Sequence, residues 1–326
     1  MSEKRFRVAI TDHPFPSTEI EARELEKIGA ELVVRQCKSE DEVLELTRDA
    51  DGVLNTYAKV TGKVIQAMTR CRVIATYGIG VDNVDVAAAT GKGIVVTNVP
   101  DYCIDEVSDH ALALLLALER KVVPLAGAVR KGSWNYQHYR PMFRLRGRKL
   151  GLVGFGKIAR RLAEKASALG LEIQTYDPWL SEDAVRAAGA KPVGLEELVR
   201  TSDYVSIHCP LTQETRNLFG DRLLGMMKPT AYLINTARGP IVDEAALYKA
   251  VKNKVIAGAA LDVLCSEREP VESPLTELEE VIITPHAAFY SEEAVREQQL
   301  KAVTQVVKVL TGQRPDYPVN PGVLGK

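Results

Sequence analysis

KLGLVGFGKIARRLA, residues 149–163, is the most informative stretch of the chain. An apolar strand is followed by a turn with the spacing G-x-G-x-x-A and then by an amphipathic helix. In that context Gly154 permits a tight turn, Gly156 lets a phosphate approach the backbone, and small Ala159 lets the helix pack closely on the strand. The N–H groups at the start of such a helix attract a pyrophosphate. The stretch therefore predicts a dinucleotide-binding β-α unit.

The next strand, EIQTY, ends in Asp177, about 20 residues after Gly156, where an acid binds the hydroxyls of the adenosine ribose. A glycine-rich turn on its own is often structural, and the acid at this spacing favours dinucleotide binding instead. A carboxylate at this position repels a 2′-phosphate, and neither Pro178 nor Trp179 supplies an arginine. We therefore expect NAD rather than NADP.

On both sides of this unit, short apolar runs alternate with amphipathic segments, which is typical of parallel sheets covered by helices on both faces. A first series of strands is expected at 7–11, 31–35, 52–55, 73–76 and 94–97. A second series is expected at 149–153, 172–176, 204–209, 231–235, 257–263 and 281–284. The pattern predicts the α/β class, with two doubly wound parallel-sheet domains.

The chain is expected to cross between the domains twice, near Pro100 and near Pro285. A helix predicted at 291–310 lies beyond the last strand of the second series, and it most simply returns to the first domain. We therefore predict one domain from 1–99 and 287–326 and a dinucleotide-binding domain from 100–286.

Composition limits the possible partners and location. Hydrophobic residues make up 46% of the chain, charged residues 26%, and the formal net charge is -1, which argues against disorder and against nucleic-acid binding by bulk charge. No run of about 18 apolar residues predicts a membrane span. The N-terminal segment MSEKRFRVAITDHPF lacks the apolar core of a signal peptide, so we expect a cytoplasmic protein.

The cysteines and most histidines are given no role in a site. The five cysteines are widely spaced and form no C-x-x-C pair, which argues against a disulfide framework and a metal site. No base is arranged beside Cys209 or Cys265, so neither is expected to be a catalytic thiol. Three histidines have no partner pattern: His13, His110 and His138.

Three polar residues follow predicted strands, at the edge where a doubly wound sheet binds its ligands: Arg238 in INTARGPIVDE, Glu267 in ALDVLCSE and His286 in IITPHAAFYS. Taken singly, such residues are usually a surface charge, a solvated acid and a turn residue. Together they supply an anchor for a carboxylate, a proton carrier and an acid to orient it. Hydride transfer to or from a hydroxy acid needs all three.

Seven blocks of the sequence, in order, resemble the D-isomer-specific 2-hydroxyacid dehydrogenase family, and the resemblance covers nearly the whole chain. The blocks are YGIGVDNVD, NVPDYCIDEVSDHALALLLAL, LGLVGFGKIARRLA, HCPLTQETRNLF, MKPTAYLINTARGPIVDEAAL, GAALDV and TPHAA. The resemblance implies a flavodoxin-like substrate domain built from both chain ends, an inserted NAD-binding Rossmann domain and an Arg-Glu-His active site.

The resemblance also implies the activity, which is NAD(H)-dependent interconversion of a small D-2-hydroxy acid and its 2-oxo acid. His286 is then the acid or base, Glu267 stabilises its protonated form, and Arg238 binds the substrate carboxylate and 2-oxygen. The implied substrate-binding residues are Tyr77, Gly78, Ile79, Gly80, Arg238, His286 and Phe289, with the backbone N–H groups of 78–80 completing the carboxylate site. The implied cofactor-binding residues are Gly154, Phe155, Gly156, Lys157, Ile158, Asp177, His208, Cys209, Pro210, Thr215, Thr236, Ala237, Arg238, Asp262, His286 and Ala288. Among these, Asp262 is expected to face the nicotinamide carboxamide.

Two acids compete to be the partner of the histidine. In the family the glutamate usually lies five residues after the aspartate of L-D-V and before a proline. Five residues after Asp262 is Glu267. The segment here reads E-R-E-P, however, with Arg268 in the place of the first proline. The later S-P-L and T-P-H blocks fall in register without a gap. We therefore assign Glu267 and expect the side chain of Glu269 to point away from His286.

A second function class stays open. The segment HAAFYSEE resembles the branch that contains the C-terminal-binding-protein corepressors, which have a tryptophan where Phe289 stands. This resemblance suggests an NAD(H)-sensing, protein-binding module as the alternative to an enzyme.

A homodimer is expected. The predicted helix 105–121 is apolar on nearly every side, so it should pack against another domain or another subunit. The segment that follows is rich in residues typical of interfaces, namely Trp134, Tyr136, Tyr139, Met142 and Phe143. Packing within one chain is the alternative.

Overall fold

The computed structural model describes residues 6–325, which form two compact units. The first ends at Tyr102 and resumes at Ser291, and the second runs from Cys103 to Tyr290. The sequence placed these divisions a few residues earlier, at 99/100 and 286/287.

The first unit holds a five-stranded parallel sheet in the order β2-β1-β3-β4-β5. Its first nine elements are β1 (Phe6–Ile10), α1 (Glu19–Glu26), β2 (Ala30–Val34), α2 (Glu40–Thr47), β3 (Gly52–Asn55), α3 (Gly62–Ala67), β4 (Val73–Thr76), α4 (Val86–Gly91) and β5 (Val95–Thr97). Helices α2, α3 and α4 cover one face of the sheet, where the side chains of β1, β3 and β4 are buried. Burial on both faces explains why these strands are mostly apolar.

The second unit holds a seven-stranded parallel sheet in the order β12-β11-β10-β9-β6-β7-β8. Its elements are α5 (Ile104–Glu119), α6 (Val122–Arg130), β6 (Lys149–Val153), α7 (Lys157–Ala168), β7 (Glu172–Tyr176), α8 (Glu182–Ala187), β8 (Lys191–Pro192), α9 (Leu195–Thr201), β9 (Tyr204–Ile207), α10 (Asp221–Leu224), β10 (Tyr232–Asn235), α11 (Glu244–Lys252), β11 (Gly258–Leu261) and β12 (Val281–Ile283). Helices α5, α7 and α8 contribute to the core on one face, and α9, α10 and α11 to the core on the other. The predicted α/β class with two doubly wound parallel sheets is confirmed.

The last helix, α12 (Glu292–Leu310), belongs to the first unit, as predicted. Its N-cap residue Ser291 accepts a hydrogen bond from Ala294 N at 2.9 Å. The helix packs on α1 and across β3, β4 and β5. A Cβ atom at Gly52 would lie 2.9 Å from Val306 Cγ1, so this close packing requires the glycine that begins β3.

Helix α5 packs inside its own unit, against α7, β10 and β11. Packing against a second subunit is therefore not needed to bury Leu114, Leu115 and Leu118, since the wide sheet and α7 already cover them, and it stays a prediction. Helix α6, in contrast, contains no buried residue.

Within residues 6–325, no helix is both long enough and apolar enough to cross a membrane. The same range contains no group of three or more His, Cys, Asp or Glu side chains arranged to hold a metal ion.

Candidate active site

The turn after β6 lies at the switch point of the larger sheet, between β6 and β9. Gly154 has a φ of +89°, and a Cβ atom there would lie 2.7 Å from Cys209 N, so glycine is required by both conformation and space. Gly156 has an ordinary φ of -73° and open space where a Cβ would stand. The protein itself does not need a glycine at 156, whereas a phosphate that approaches the backbone does.

Asp177 ties the end of β7 to this turn. Its Oδ2 accepts a hydrogen bond from Phe155 N at 2.8 Å, and its Oδ1 accepts one from Trp179 N at 2.9 Å. The Phe155 side chain is fully buried in the core, so only its backbone borders the turn. The expected contact of Phe155 with the cofactor therefore stays a prediction for its backbone.

Several expected cofactor residues lie just after β9 and β10. Burial lowers the pKa of His208 to about 4, so its imidazole is neutral, and its Nε2 lies 2.8 Å from Ser206 Oγ. Thr215 Oγ1 donates to Pro210 O at 2.7 Å and shapes the loop between them. The buried Thr236 Oγ1 has no hydrogen-bond partner among the described residues.

These features fit an adenine dinucleotide. The space in front of Gly156 is open, and α7, which starts with Lys157 and Ile158, has no side-chain cap at its N-terminus. A carboxylate stands at the end of β7, and Thr236 offers an unpartnered hydroxyl at the end of β10. Uncapped helix N–H groups and open backbone are what a pyrophosphate requires.

The strands that lead to the three candidate catalytic residues are adjacent and in register, since Asn235 pairs with Leu261 and Leu261 pairs with Ile283. Buried Asn235 shapes the turn after β10, because its Nδ2 donates to Arg238 O at 2.9 Å. A Cβ atom at Gly239 would lie 2.0 Å from Leu264 C. This close approach packs the Arg238 turn against the segment that leads to Glu267.

His286 and Glu267 are in direct contact. His286 Nδ1 lies 2.8 Å from Glu267 Oε2, while no hydrogen bond or ion pair joins His286 to Glu269. Because an ionised carboxylate only accepts hydrogen bonds, Nδ1 carries the hydrogen and Nε2 is the nitrogen left to exchange a proton. The ring of Phe289 lies edge-on to His286, with centroids 6.3 Å apart.

Asp262 is a buried carboxylate beside the turn of His286, with a side chain only 1% exposed. Its Oδ1 accepts from Thr284 Oγ1 at 2.5 Å and from Ala287 N at 3.0 Å, and its Oδ2 accepts from Ala288 N at 2.9 Å. A buried carboxylate needs such donors. Asp262 therefore holds the turn that carries His286, while its expected contact with the nicotinamide carboxamide stays a prediction.

His110 is the residue that sequence reasoning missed. It lies on α5, and its Nε2 is 2.9 Å from Thr284 Oγ1 and 3.5 Å from Asp262 Oδ1. Its neighbours in sequence gave no signal, because its partners are more than 150 residues away along the chain.

The loop of residues 77–80 lies in the first unit, after β4. The side chain of Tyr77 is fully buried, and its hydroxyl donates to Glu21 Oε1 at 2.8 Å. Tyr77 therefore supports the loop from within, and its expected part in substrate binding stays a prediction that only its backbone can fulfil.

The backbone of the same loop is oriented by its carbonyl groups. Gly78 O accepts from Val99 N at 3.1 Å, and Ile79 O accepts from Asn98 Nδ2 at 2.7 Å. No described residue accepts a hydrogen bond from the N–H groups of Gly78, Ile79 or Gly80. These N–H groups are available to an anion.

The thiols near these strands are poorly suited to nucleophilic chemistry. Burial raises the pKa of Cys209 to about 11. Burial and the nearby charge of Glu244 raise the pKa of Cys265 to about 12. Both groups therefore stay protonated near neutral pH, whereas the thiolate is the reactive form.

Comparison with known proteins gives consistent matches. Residues 112–288 match the family model described as D-isomer specific 2-hydroxyacid dehydrogenase, NAD binding domain. The chain is 38% identical over 320 residues to a glyoxylate reductase of Korarchaeum cryptofilum, covering 95% of this chain and 96% of that protein. It is 36% identical over 316 residues to a D-3-phosphoglycerate dehydrogenase of Methanocaldococcus jannaschii, where the match covers 96% of this chain but 59% of the relative.

Among solved structures, the fold resembles that of a D-lactate dehydrogenase from Aquifex aeolicus in complex with NAD and lactic acid. The TM-score is 0.87 at 26% identity, over 96% of this chain and 99% of that one.

Proposed function

The chain belongs to the D-isomer specific 2-hydroxyacid dehydrogenase family and is an NAD(P)-dependent oxidoreductase of 2-hydroxy and 2-oxo acids, and from this premise we propose that His286, Glu267 and Arg238 carry out its chemistry. The 2.8 Å contact between His286 Nδ1 and Glu267 Oε2 is the main support for this proposal. When bound, the nicotinamide supplies or accepts the hydride at the 2-carbon.

His286 transfers the proton to and from the substrate oxygen. Because Glu267 holds Nδ1, the Nε2 of His286 donates a proton to the 2-oxygen in reduction and takes it back in oxidation. Glu267 fixes the orientation of the ring, and its charge favours the imidazolium form that reduction requires.

Arg238 binds the negatively charged carboxylate of the substrate. A guanidinium is always charged and binds a carboxylate through two parallel hydrogen bonds. We also assign the unpaired N–H groups of Gly78, Ile79 and Gly80 to the substrate carboxylate, since the carbonyl groups of Gly78 and Ile79 already hold the loop in place.

The cofactor preference follows from Asp177. Its carboxylate lies at the end of β7, where it accepts hydrogen bonds from the ribose hydroxyls and repels the extra phosphate of NADP. NAD(H) is therefore the proposed cofactor.

The substrate is proposed to be a small 2-oxo acid. The relatives named glyoxylate reductase and D-3-phosphoglycerate dehydrogenase indicate which acids to test. The test is steady-state oxidation of NADH with glyoxylate, pyruvate, hydroxypyruvate and 3-phosphohydroxypyruvate, with His286→Ala as the control. Binding of NADH without turnover of any acid would instead favour the NAD(H)-sensing alternative.

A homodimer is the proposed assembly. Helix α6 exposes about half of each of Val122, Val123 and Val129, and Trp134, shortly after it, is 90% exposed. Apolar surface of this kind is typical of interfaces, and an isologous contact between two copies buries it. Light scattering at micromolar concentration should give twice the mass of one chain, and Val123→Asp should give a monomer. A wild-type protein with the mass of one chain would exclude the dimer.

A further inference from the structure

His110 lies beside the site without a part in the chemistry described so far. It reaches from α5 to the end of β12, where its Nε2 is 2.9 Å from Thr284 Oγ1. Its side chain is about a quarter exposed, and Asp262 beyond it is buried.

The direction of the hydrogen bonds follows from counting hydrogens. The Thr284 hydroxyl has one hydrogen, and it donates that hydrogen to Asp262 Oδ1 at 2.5 Å. Thr284 Oγ1 can then only accept from His110, so His110 Nε2 carries a hydrogen. The chain of donors runs from His110 through Thr284 to Asp262.

Asp262 in turn holds the backbone around His286. Its main-chain oxygen accepts from His286 N at 2.8 Å, and its carboxylate accepts from Ala287 N and Ala288 N. His286 has a φ of +51°, in the left-handed region that non-glycine residues rarely adopt. Such a conformation persists only where its surroundings hold it.

We propose that His110 is a positioning residue for His286. Its N–H orients the Thr284 hydroxyl so that it donates to Asp262. Asp262 in turn keeps the turn in the conformation that brings His286 into contact with Glu267. The inference rests on the proposed function, because it assumes that His286 moves the proton.

The test uses paired variants. His110→Leu and Thr284→Val remove one link each, while His110→Gln and Thr284→Ser keep a donor at the same place. We expect each of the first pair to lower kcat by about tenfold with KM for the 2-oxo acid within about twofold, and the second pair to restore most of the loss. The double variant His110→Leu/Thr284→Val should fall little below either single one, since both break the same chain.

A second readout needs neither substrate nor cofactor. Amide hydrogen exchange in the peptide of residues 284–290 should become severalfold faster in His110→Leu and should stay near the wild-type rate in His110→Gln. Asp109→Asn, the exposed neighbour on the same helix, is the matched control and should leave kcat and exchange unchanged.

The outcomes are distinct. Three results would each overturn the proposal. They are wild-type kcat and exchange in His110→Leu, equal losses in the Leu and Gln variants, and additive losses in the double variant. If His110→Leu does not fold, the Thr284 pair decides by the same criteria. If the wild type turns over no acid, the proposed function fails, while the exchange rates of the turn still decide whether His110 holds it.

Discussion

Glu267→Gln is the sharpest test of the proton carrier. Glutamine keeps the shape and an acceptor for His286 Nδ1 but removes the charge. A hydrogen bond to a charged group contributes about 1.5–3 kcal/mol. The two side chains are 31% and 40% exposed, so solvent screening reduces this to about 1 kcal/mol. That energy corresponds to a kcat for reduction about fivefold lower.

The measurement is the steady-state kcat for reduction of the best 2-oxo acid, at a pH where both proteins stay folded.

Glu269→Gln is the control, because no hydrogen bond or ion pair joins Glu269 to His286. It should leave kcat for reduction unchanged. A kcat that falls in Glu269→Gln and keeps the wild-type value in Glu267→Gln would refute the assignment of the two acids.

Three further predictions concern the base, the cofactor and the smaller unit. His286→Ala should lower turnover by at least about a hundredfold and leave the Kd for NADH nearly unchanged, as measured by steady-state kinetics and titration. Asp177→Asn should narrow the preference for NADH over NADPH. Asparagine is chosen over alanine because it retains an acceptor for Phe155 N. An unchanged ratio of the two Kd values would mean that Asp177 does not recognise the ribose. Tyr77→Phe should lower the free energy of unfolding in urea by about 1–3 kcal/mol, since buried Glu21 loses a donor. Burial raises the pKa of Tyr77 well above its usual value, so this stabilisation is fully present below about pH 10 and is lost as the pH rises further, and the two proteins should converge in stability there.

Local sequence was sufficient for most of the sheets. Four strands have the predicted bounds: Gly52–Asn55, Val73–Thr76, Lys149–Val153 and Glu172–Tyr176. Three of these strands are largely apolar and are ended by a turn, whereas the fourth, EIQTY, also buries Gln174 and Thr175. Strand β8, Lys191–Pro192, was not predicted because it is a two-residue edge strand that contains a proline and has no apolar run to detect.

Much of the candidate site could also be predicted from the sequence, for a related reason. Gly154, Gly156 and Asp177 belong to one β-α-β unit, so their spacing along the chain fixes their places in space. Arg238 and His286 each follow a strand of a parallel sheet, and the carboxyl ends of such strands share one edge. Topology alone therefore indicates that they lie on the same side.

Tertiary structure decided what the buried polar groups do. His110, Tyr77 and Asp262 find their partners in segments distant along the chain, namely Thr284, Glu21 and the turn after β12. A buried donor or acceptor must be satisfied by whichever group the packing places beside it, and no local pattern encodes that choice. For this reason the sequence by itself determined the two sheets, the dinucleotide turn and the edge that carries the chemistry. Only the packed structure showed that Tyr77 and Asp262 face inward and that His110 reaches the turn of His286.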